Sequence, residues 1–237
     1  MATYDLLAPH YDAVTGDSAT EAALIRDIIE RRHRRAVTLL DVACGTGGIT
    51  VPLSRAYQVS GLDISPGMLA VARGKLPGGT PLYQADMTRF RLSARFDAIV
   101  CAYQGVNHLL SLSAWQSFFG CAYRHLNPGG VLVFDIATVS HLTAMASTPK
   151  IVQQFGGNYL QITVSTTDGA IFEWHIEVFE RQRDGRYRLL IQAVKMRSFQ
   201  VDQVKEALCN RFVDIDVIGG YDIDGRIWLA CARPTGG

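Results

Sequence analysis

A short apolar run followed at once by a glycine-rich turn is the feature that most constrains how this chain folds. Residues 38–43 read TLLDVA, and residues 44–48 read CGTGG. An apolar segment of this length is typical of a buried strand in a parallel sheet. A helix is predicted over residues 49–56, so the glycines join a strand to a helix, as in α/β proteins.

The same alternation continues along the chain. Further strands are predicted from short apolar segments, at residues 59–63, 81–85, 96–102 and 131–136. Helical spacing predicts helices at residues 21–32 and 114–126. Ser65 followed by Pro66 is a typical helix start and predicts a helix to about residue 75. This alternation of strands and helices indicates a doubly wound α/β fold with a parallel sheet.

The pattern changes after residue 158, where strands are separated by hairpin signals. Strands are predicted at residues 159–167, 171–180 and 186–199, joined by Asp-Gly pairs at 168–169 and 184–185. A helix at residues 201–209 and closing strands at 212–217 and 227–233 complete the prediction. The antiparallel insert at residues 159–199 follows the fifth strand. We therefore expect it to cover the carboxyl ends of the strands, where α/β sheets bind ligands.

Composition argues against several classes of protein. The 237 residues carry 23 Lys and Arg against 22 Asp and Glu, a net charge of +1 that is unlike a nucleic-acid-binding protein. The five cysteines include no CxxC pair, so we expect neither a disulfide framework nor a metal site. No apolar run approaches 18 residues, and the first residues lack the features of a signal peptide. We therefore expect a single domain in the cytoplasm.

The glycine-rich turn predicts a nucleotide-like ligand. Glycines let a ligand approach the backbone closely, and the amides of the next helix N-terminus can face it. Asp63, at the end of the second strand, lies 16 residues beyond Gly47, where a carboxylate can accept both hydroxyls of a ribose. A nicotinamide or flavin dinucleotide and S-adenosylmethionine both fit this description.

Several residues favour S-adenosylmethionine over a dinucleotide. Thr50 stands where the dinucleotide fingerprint GxGxxG has its third small residue. Asp41, just before the turn, would repel a pyrophosphate but can face an ammonium group. Asp86, after the third strand, can accept a hydrogen bond from an adenine amino group, with Met87 beside the ring.

With these residues the chain resembles the class I S-adenosylmethionine-dependent methyltransferases over most of its length. The matching motifs are DVACGTG at 41–47, LDISPGM at 62–68, QADM at 84–87, FDAIVCA at 96–102 and LNPGG at 126–130. The resemblance implies a Rossmann-like seven-stranded sheet with an antiparallel last strand, here with a three-stranded antiparallel insert. It also implies S-adenosyl-L-methionine as the cofactor. The cofactor-binding residues that it implies are Tyr4, Tyr11, Asp41, Ala43, Cys44, Gly45, Gly47, Asp63, Ile64, Met68, Asp86, Met87 and Ala102.

Within this family, the insert and the N-terminal tyrosines resemble small-molecule enzymes, in particular the aminosugar N,N-dimethyltransferases. In that group an N-terminal tyrosine and a histidine after the fourth strand flank the amine that is methylated. The matching residues are Tyr11 and His108, which are thereby implied to be catalytic. Residues 1–35 are interpreted as a helical lid that closes over the cofactor through Tyr4 and Tyr11; the alternative is ordinary packing of an amphipathic first helix. His108 is interpreted as a general base or as a group that orients the acceptor. The alternative is that it only packs under the cofactor.

The resulting hypothesis is methyl transfer to a nitrogen or oxygen of a small molecule, in a biosynthetic pathway. A nicotinamide oxidoreductase is disfavoured by Thr50, by Asp86 and by the absence of a Tyr-x-x-x-Lys dyad. A cofactor-binding protein that transfers no methyl group, such as a cyclase or a regulator, would carry the same motifs. The insert is also expected to form the surface of a homodimer, and neither nucleic acid nor a membrane is expected as a partner.

Overall fold

The computed structural model describes residues 4–218 and 225–235 of the chain. Its strands are β1 (Thr38–Val42), β2 (Gln58–Asp63), β3 (Leu82–Gln84), β4 (Phe96–Cys101), β5 (Leu126–Ala137), β6 (Ile151–Phe155), β7 (Asn158–Thr166), β8 (Ile171–Arg181), β9 (Tyr187–Arg197), β10 (Val213–Ile218) and β11 (Arg226–Ala232). Its α-helices are α1 (Tyr11–Thr15), α2 (Ala19–Arg32), α3 (Thr50–Leu53), α4 (Pro66–Lys75), α5 (Leu112–His125), α6 (Val139–Ser147) and α7 (Val201–Cys209), and a 3₁₀ helix covers Gly105–His108.

Seven of these strands form the central sheet, in the order β10-β11-β5-β4-β1-β2-β3. The pairs β1–β2, β1–β4, β2–β3 and β4–β5 are parallel. The last strand, β11, runs antiparallel to both of its neighbours, β5 and β10. The predicted doubly wound Rossmann-like sheet with an antiparallel last strand is therefore confirmed.

Helices cover both faces of the sheet, which explains why its central strands are apolar throughout. On β1, Leu40 packs in the same cluster as Trp115 and Phe134, whereas Leu39 packs in the opposite cluster with Ile25. Each large apolar side chain buried in this way contributes about 1.5–3 kcal/mol. The two layers hold the carboxyl ends of β1, β2 and β4 at one edge, where the loops that follow them meet. Within residues 4–218 and 225–235, no helix is both long and apolar enough to cross a bilayer.

The prediction of a three-stranded insert is wrong, because the second sheet has four strands in the order β6-β7-β8-β9. The additional strand, β6, pairs antiparallel with β7 through a turn at Gly156 and Gly157, whose φ angles are 51° and 82°. Its three middle residues are exposed, so the strand shows no alternation of apolar and polar residues. The Gly-Gly pair was the available hairpin signal, since both positions need positive φ.

The inner face of the insert packs against the rest of the molecule on two sides. Phe172 of β8 packs with Leu142 of α6, and Ile176 of β8 packs with Leu7 of the N-terminal segment. The segment around the 3₁₀ helix also touches β9, because Nδ1 of His108 lies 3.3 Å from the backbone oxygen of Lys195. The insert thus lies beside the loop that follows β4, where the central sheet presents its carboxyl ends.

Candidate active site

The loop after β1 has the backbone shape that allows a ligand to approach closely. Ala43, Gly45 and Gly47 have positive φ angles of 58°, 53° and 81°. This region is costly for residues that carry a Cβ, so glycine suits two of the three positions. The neighbouring strand β2 packs closely against this loop at Gly61, where a Cβ would lie only 2.8 Å from Sγ of Cys44.

Asp63, at the end of β2, ties this loop to the next one. Its Oδ2 accepts a hydrogen bond from the Gly45 N–H at 2.8 Å, and its Oδ1 accepts one from the Ser65 N–H at 2.8 Å. Burial raises the pKa of Asp63, and the two amides oppose this rise because they stabilise the carboxylate. Each carboxylate oxygen can accept more than one hydrogen bond, so Asp63 can still bind the hydroxyl groups of a ligand.

Asp41, near the end of β1, is almost completely buried, with 1% of the residue exposed. Burial raises its pKa to about 7, although the Thr50 hydroxyl, which donates to Oδ2 at 2.6 Å, favours the ionised form. The negative charge of Asp63 adds to the rise. A cation placed beside Asp41 would favour its ionised form.

Two adjoining cavities surround the loop after β1. The larger, here called the central cavity, is lined by Tyr4, Tyr11, Ala43, Gly45, Asp63, Ile64, Met68, Met87, Ala102, Tyr103, Gly105 and His108. The smaller, here called the side cavity, is lined by Tyr11, Asp12, Thr15, Ser18, Asp41, Ala43, Cys44, Gly45, Thr46, Gly48, Ile49, Ala102 and Tyr103. Because they share five residues, the two cavities form one continuous region between the N-terminal segment and the sheet.

All the predicted cofactor residues except Gly47 and Asp86 line one of these cavities, as does His108. Gly47 instead packs on α4, where its Cβ position lies 3.5 Å from Cβ of Ala72. The Asp86 carboxylate is engaged locally, because Oδ1 accepts from the N–H of Thr88 at 2.8 Å and Oδ2 lies 3.1 Å from Nε of Arg89. A role for Asp86 at an adenine ring stays a prediction.

Sequence reasoning missed several residues that shape the site. Tyr103 lines both cavities, and Gly105 lets the loop after β4 approach the sheet, because its Cβ would lie 2.9 Å from Sγ of Cys101. Asp5 and Asp12 were missed as well, although both are acidic residues beside the predicted tyrosines. Asp5 and Asp12 take their roles from partners distant in the chain, which its pattern does not reveal. Tyr103 and Gly105 directly follow the strand predicted at residues 96–102, and this position was the available signal for them.

The N-terminal segment, residues 4–18, is held over the cavities by its acidic side chains. Asp5 accepts hydrogen bonds from the hydroxyl of Ser65 and, at 2.9 Å, from the N–H of Gly67 at the start of α4. Asp12 accepts from the Thr46 hydroxyl at 2.5 Å and pairs with Lys75 at 2.7 Å. The segment is thus bonded to the loops after both β1 and β2.

His108 is held in one tautomer at the wall of the central cavity. Its Nδ1 lies 3.3 Å from the backbone oxygen of Lys195, which can only accept, so Nδ1 carries the proton. Nε2 is then unprotonated and accepts from the Tyr4 hydroxyl at 3.3 Å. Burial lowers the pKa of His108, so the imidazole is neutral at neutral pH. A neutral imidazole with a free Nε2 lone pair can accept a proton.

The aromatic neighbours of His108 are also neutral. Burial is the main cause that raises the pKa of Tyr4, and it raises the pKa of Tyr11 to about 12. The ring of Tyr4 lies edge-on to both partners, with its centroid 5.9 Å from that of Tyr11 and 5.4 Å from that of His108. The site therefore offers hydroxyl donors and an imidazole base within a low-polarity wall.

Asn107 fixes the position of His108 from behind. It is fully buried, its Oδ1 accepts from the N–H of Ala137 at 2.9 Å, and its Nδ2 donates to the backbone oxygens of Ala137 and Arg197 at 3.2 and 3.0 Å. Gln104, three residues before Asn107, has a φ of 61°, and its N–H donates to Asp135 at 2.8 Å. Both contacts anchor the loop after β4 to β5.

Comparison with known proteins places these features in context. A family model described as a methyltransferase domain matches residues 39–130. The chain is 38% identical over 120 residues to a dTDP-3-amino-3,4,6-trideoxy-alpha-D-glucopyranose N,N-dimethyltransferase of Streptomyces venezuelae, a match that covers 50% of each protein. The alignment therefore spans about half the length of that relative.

Solved structures align over almost the whole chain. An S-adenosylmethionine-dependent methyltransferase from Clostridium acetobutylicum aligns with a TM-score of 0.85 at 20% identity, covering 98% of this chain and 99% of the other. Streptomyces venezuelae DesVI aligns with a TM-score of 0.81 at 26% identity, covering 98% and 97%. At 20% identity, the first of these is evidence of a shared fold alone.

The raised pKa of Asp41 predicts a pH-dependent stability that Asp41→Asn removes. In the unfolded chain this carboxyl ionises near pH 3.9, and in the folded protein it ionises near pH 7. The folding stability that this difference in pKa provides is therefore fully present below about pH 4 and is lost as the pH rises towards 7. Asparagine keeps an oxygen for the Thr50 hydroxyl but has no charge to bury. In urea unfolding, the midpoint concentration of Asp41→Asn minus that of the wild type should increase from pH 5 to pH 8. A constant difference across this range would contradict the assignment.

Proposed function

We propose that this chain, whose residues 39–130 match a family model described as a methyltransferase domain, is a class I S-adenosylmethionine-dependent methyltransferase that transfers a methyl group to a nitrogen or oxygen of a small molecule. The observation that carries the proposal is the pair of buried carboxylates, Asp41 and Asp63, beside the loop after β1, in which three residues have positive φ angles. The Streptomyces venezuelae relative is named an N,N-dimethyltransferase, which favours nitrogen as the accepting atom here.

The residues of the two cavities fit S-adenosylmethionine. The side cavity contains Asp12 and Asp41, and no Lys or Arg is among its described lining residues, so it suits the ammonium group of the methionine part. Asp63 would bind the ribose hydroxyls, while Ile64, Met68 and Met87 offer apolar contacts to the adenine. When bound there, the sulfonium supplies the electrophilic methyl carbon.

His108 would hold or remove a proton at the acceptor. An amine must lose its proton before its lone pair can attack, and a hydroxyl must lose its proton during transfer. The free Nε2 of His108 can accept this proton because burial keeps the imidazole neutral. The Tyr4 hydroxyl occupies the same lone pair at 3.3 Å, so an acceptor displaces Tyr4 or passes its proton through it. General-base assistance of this kind contributes about 10²- to 10⁴-fold.

The N-terminal segment would act as a lid. Its contacts with Thr46, Ser65 and Gly67 close the cavities over the loops that would hold the cofactor. Cofactor entry therefore requires this segment to open, and its closure excludes water and holds the reacting atoms in line. Tyr11 would contribute to this closure because it lines both cavities.

The test of the proposed function is product formation with wild-type protein and His108→Ala. With a panel of small amines and hydroxyl compounds, the wild type should release S-adenosylhomocysteine. His108→Ala should lower turnover at least tenfold, while calorimetry shows nearly unchanged affinity for S-adenosylhomocysteine. The matched control is His33→Ala, beyond the end of α2 and away from both cavities, which should keep wild-type turnover. Equal loss of turnover and affinity in His108→Ala would contradict the role of His108, and cofactor binding without product from any acceptor would contradict methyl transfer.

We further propose a homodimer through the insert. The edge strand β9 exposes three large apolar side chains on its outer face, Tyr187, Leu189 and Ile191, the last with 58% of its surface accessible. An edge strand with unpaired backbone groups and apolar side chains favours association with another strand.

Sedimentation velocity tests this proposal. The wild type should sediment as a dimer at micromolar concentration, and Ile191→Lys as a monomer. Val152→Lys is the control, because Val152 lies on β6, in the same row of the sheet but at its opposite edge. A monomeric wild type, or a dimer unaffected by Ile191→Lys, would contradict the proposed interface.

A further inference from the structure

The loop that joins β4 to His108 contains a strained turn. Tyr103 and Gln104 are consecutive residues with φ angles of 54° and 61°, and neither is a glycine. The two residues are here called the left-handed turn. A residue with a Cβ adopts this conformation only at a cost in free energy, so such a turn persists where the surrounding structure holds it.

The left-handed turn shapes the wall of the proposed site. Tyr103 lines both the central and the side cavity, and the 3₁₀ helix that ends at His108 begins directly after the turn. The backbone oxygen of Gln104 accepts from the N–H of Asn107 at 2.9 Å, which starts that helix. The positions of Tyr103 and His108 therefore both depend on the conformation of Gln104.

Asp135, near the end of β5, holds the left-handed turn in place. In the observed conformation the Gln104 N–H points at this side chain, and Oδ1 of Asp135 accepts from it at 2.8 Å. Asp135 is fully buried, so water does not compete for the bond. A hydrogen bond from an N–H to a carboxylate is stronger than one between neutral groups. This bond therefore offsets part of the strain in the turn.

Arg226 of β11 supplies the positive charge that a buried carboxylate requires. Its Nη1 lies 3.8 Å from Oδ2 of Asp135, its Nη2 lies 3.4 Å from the carboxylate of Glu21 in α2, and only 7% of its side chain is exposed. The guanidinium also lies over the ring of Tyr103, 5.7 Å from its centroid, where a cation is attracted to the ring face. Arg226 thus contacts both the carboxylate that holds the turn and the ring of the turn's first residue.

Asp135 and Arg226 reach the site only through the turn. Neither is among the described lining residues of the central or the side cavity. The hydroxyl of Tyr103 is fixed separately, because it donates to Oγ of Ser18 at 2.8 Å, just before α2. The residues of the turn are therefore held by β5, β11 and the start of α2 together.

We propose that Asp135 is a positioning residue for methyl transfer. Its carboxylate keeps the turn left-handed through the Gln104 N–H, and the turn keeps Tyr103 and His108 in place at the cavity wall. The inference rests on the proposed function and adds to it a residue outside both cavities.

Two substitutions separate the hydrogen bond of Asp135 from its charge. Asp135→Ala removes the acceptor, so the turn can relax, and a displacement of about 1 Å in a reacting group can cost about 10²-fold in rate. Turnover at saturating cofactor and acceptor should therefore fall at least tenfold. Asp135→Asn keeps an oxygen for the Gln104 N–H and should stay within threefold of the wild type. If Asp135 acted by its charge alone, the two variants would lose turnover equally.

The assay uses the full chain, S-adenosylmethionine and the amine or hydroxyl compound of the panel that gives the most product, below the melting temperature of every variant. The control is Asp97→Ala, near the start of β4 at the opposite edge of the sheet. The carboxylate of Asp97 also accepts from backbone N–H groups, those of Val37 and Thr38, at 2.9 and 3.0 Å. Asp97→Ala should therefore lose stability but keep wild-type turnover.

Amide hydrogen exchange measured by NMR tests the hold on the turn without any acceptor. The Gln104 amide should be protected in the wild type and in Asp135→Asn, because its bond is buried, and should exchange at least tenfold faster in Asp135→Ala.

Four results would overturn the inference: a loss of less than tenfold in Asp135→Ala, a loss of more than threefold in Asp135→Asn, an equal loss in Asp97→Ala, or a wild-type Gln104 amide that exchanges as in an unstructured peptide. If Asp135→Ala does not fold, Asp135→Asn and the amide exchange decide. A wild type that gives no product from any acceptor contradicts the proposed function itself, whereas these four results in an active enzyme contradict only the role of Asp135.

Discussion

The hydrogen bonds of Asp63 hold together the edge of the sheet on which every other feature of the site depends. One carboxylate accepts from the backbone of the loop after β1 and from that of the turn before α4, so both loops keep a fixed distance from the end of β2. Asp41 lies one strand away, buried under the Thr50 hydroxyl, with its pKa raised to about 7. Two ionised carboxylates in a low-polarity environment are unfavourable in free energy when no bound group compensates their charge. The geometry therefore favours a ligand that brings hydroxyl groups to one and a cation to the other.

Three parts of the chain that are distant in sequence meet above this edge. The N-terminal segment bonds to the loops through Asp5 and Asp12, the loop after β4 brings His108, and β9 fixes its tautomer through the Lys195 carbonyl. The insert adds an apolar wall, so the region offers a polar side near Asp41 and an apolar side near Trp174.

Local signals predicted the sheet and part of the site, and long-range contacts account for the rest. The start of α4 is the clearest case, because Ser65 accepts from the N–H of Met68 and Pro66 follows, as a helix start requires. The strand β6 and the helix α6 were missed because the first is largely exposed and the second follows a strand without a turn signal. Asp12 could not be predicted because its partners, Thr46 and Lys75, come from elsewhere in the chain. The motif residues could be located from the sequence, but the hydrogen bond between Tyr4 and His108 requires the folded chain.

Calorimetry of cofactor binding tests the central claim most directly, since it asks which ligand the two carboxylates and the loop accept. The wild type should bind S-adenosylmethionine and S-adenosylhomocysteine in the micromolar range or tighter and should show no heat with a nicotinamide dinucleotide. Asp63→Ala should weaken both adenosyl ligands at least tenfold, because it removes the acceptor for the ribose hydroxyls. Tight binding of the dinucleotide, together with no response to S-adenosylhomocysteine, would contradict the account.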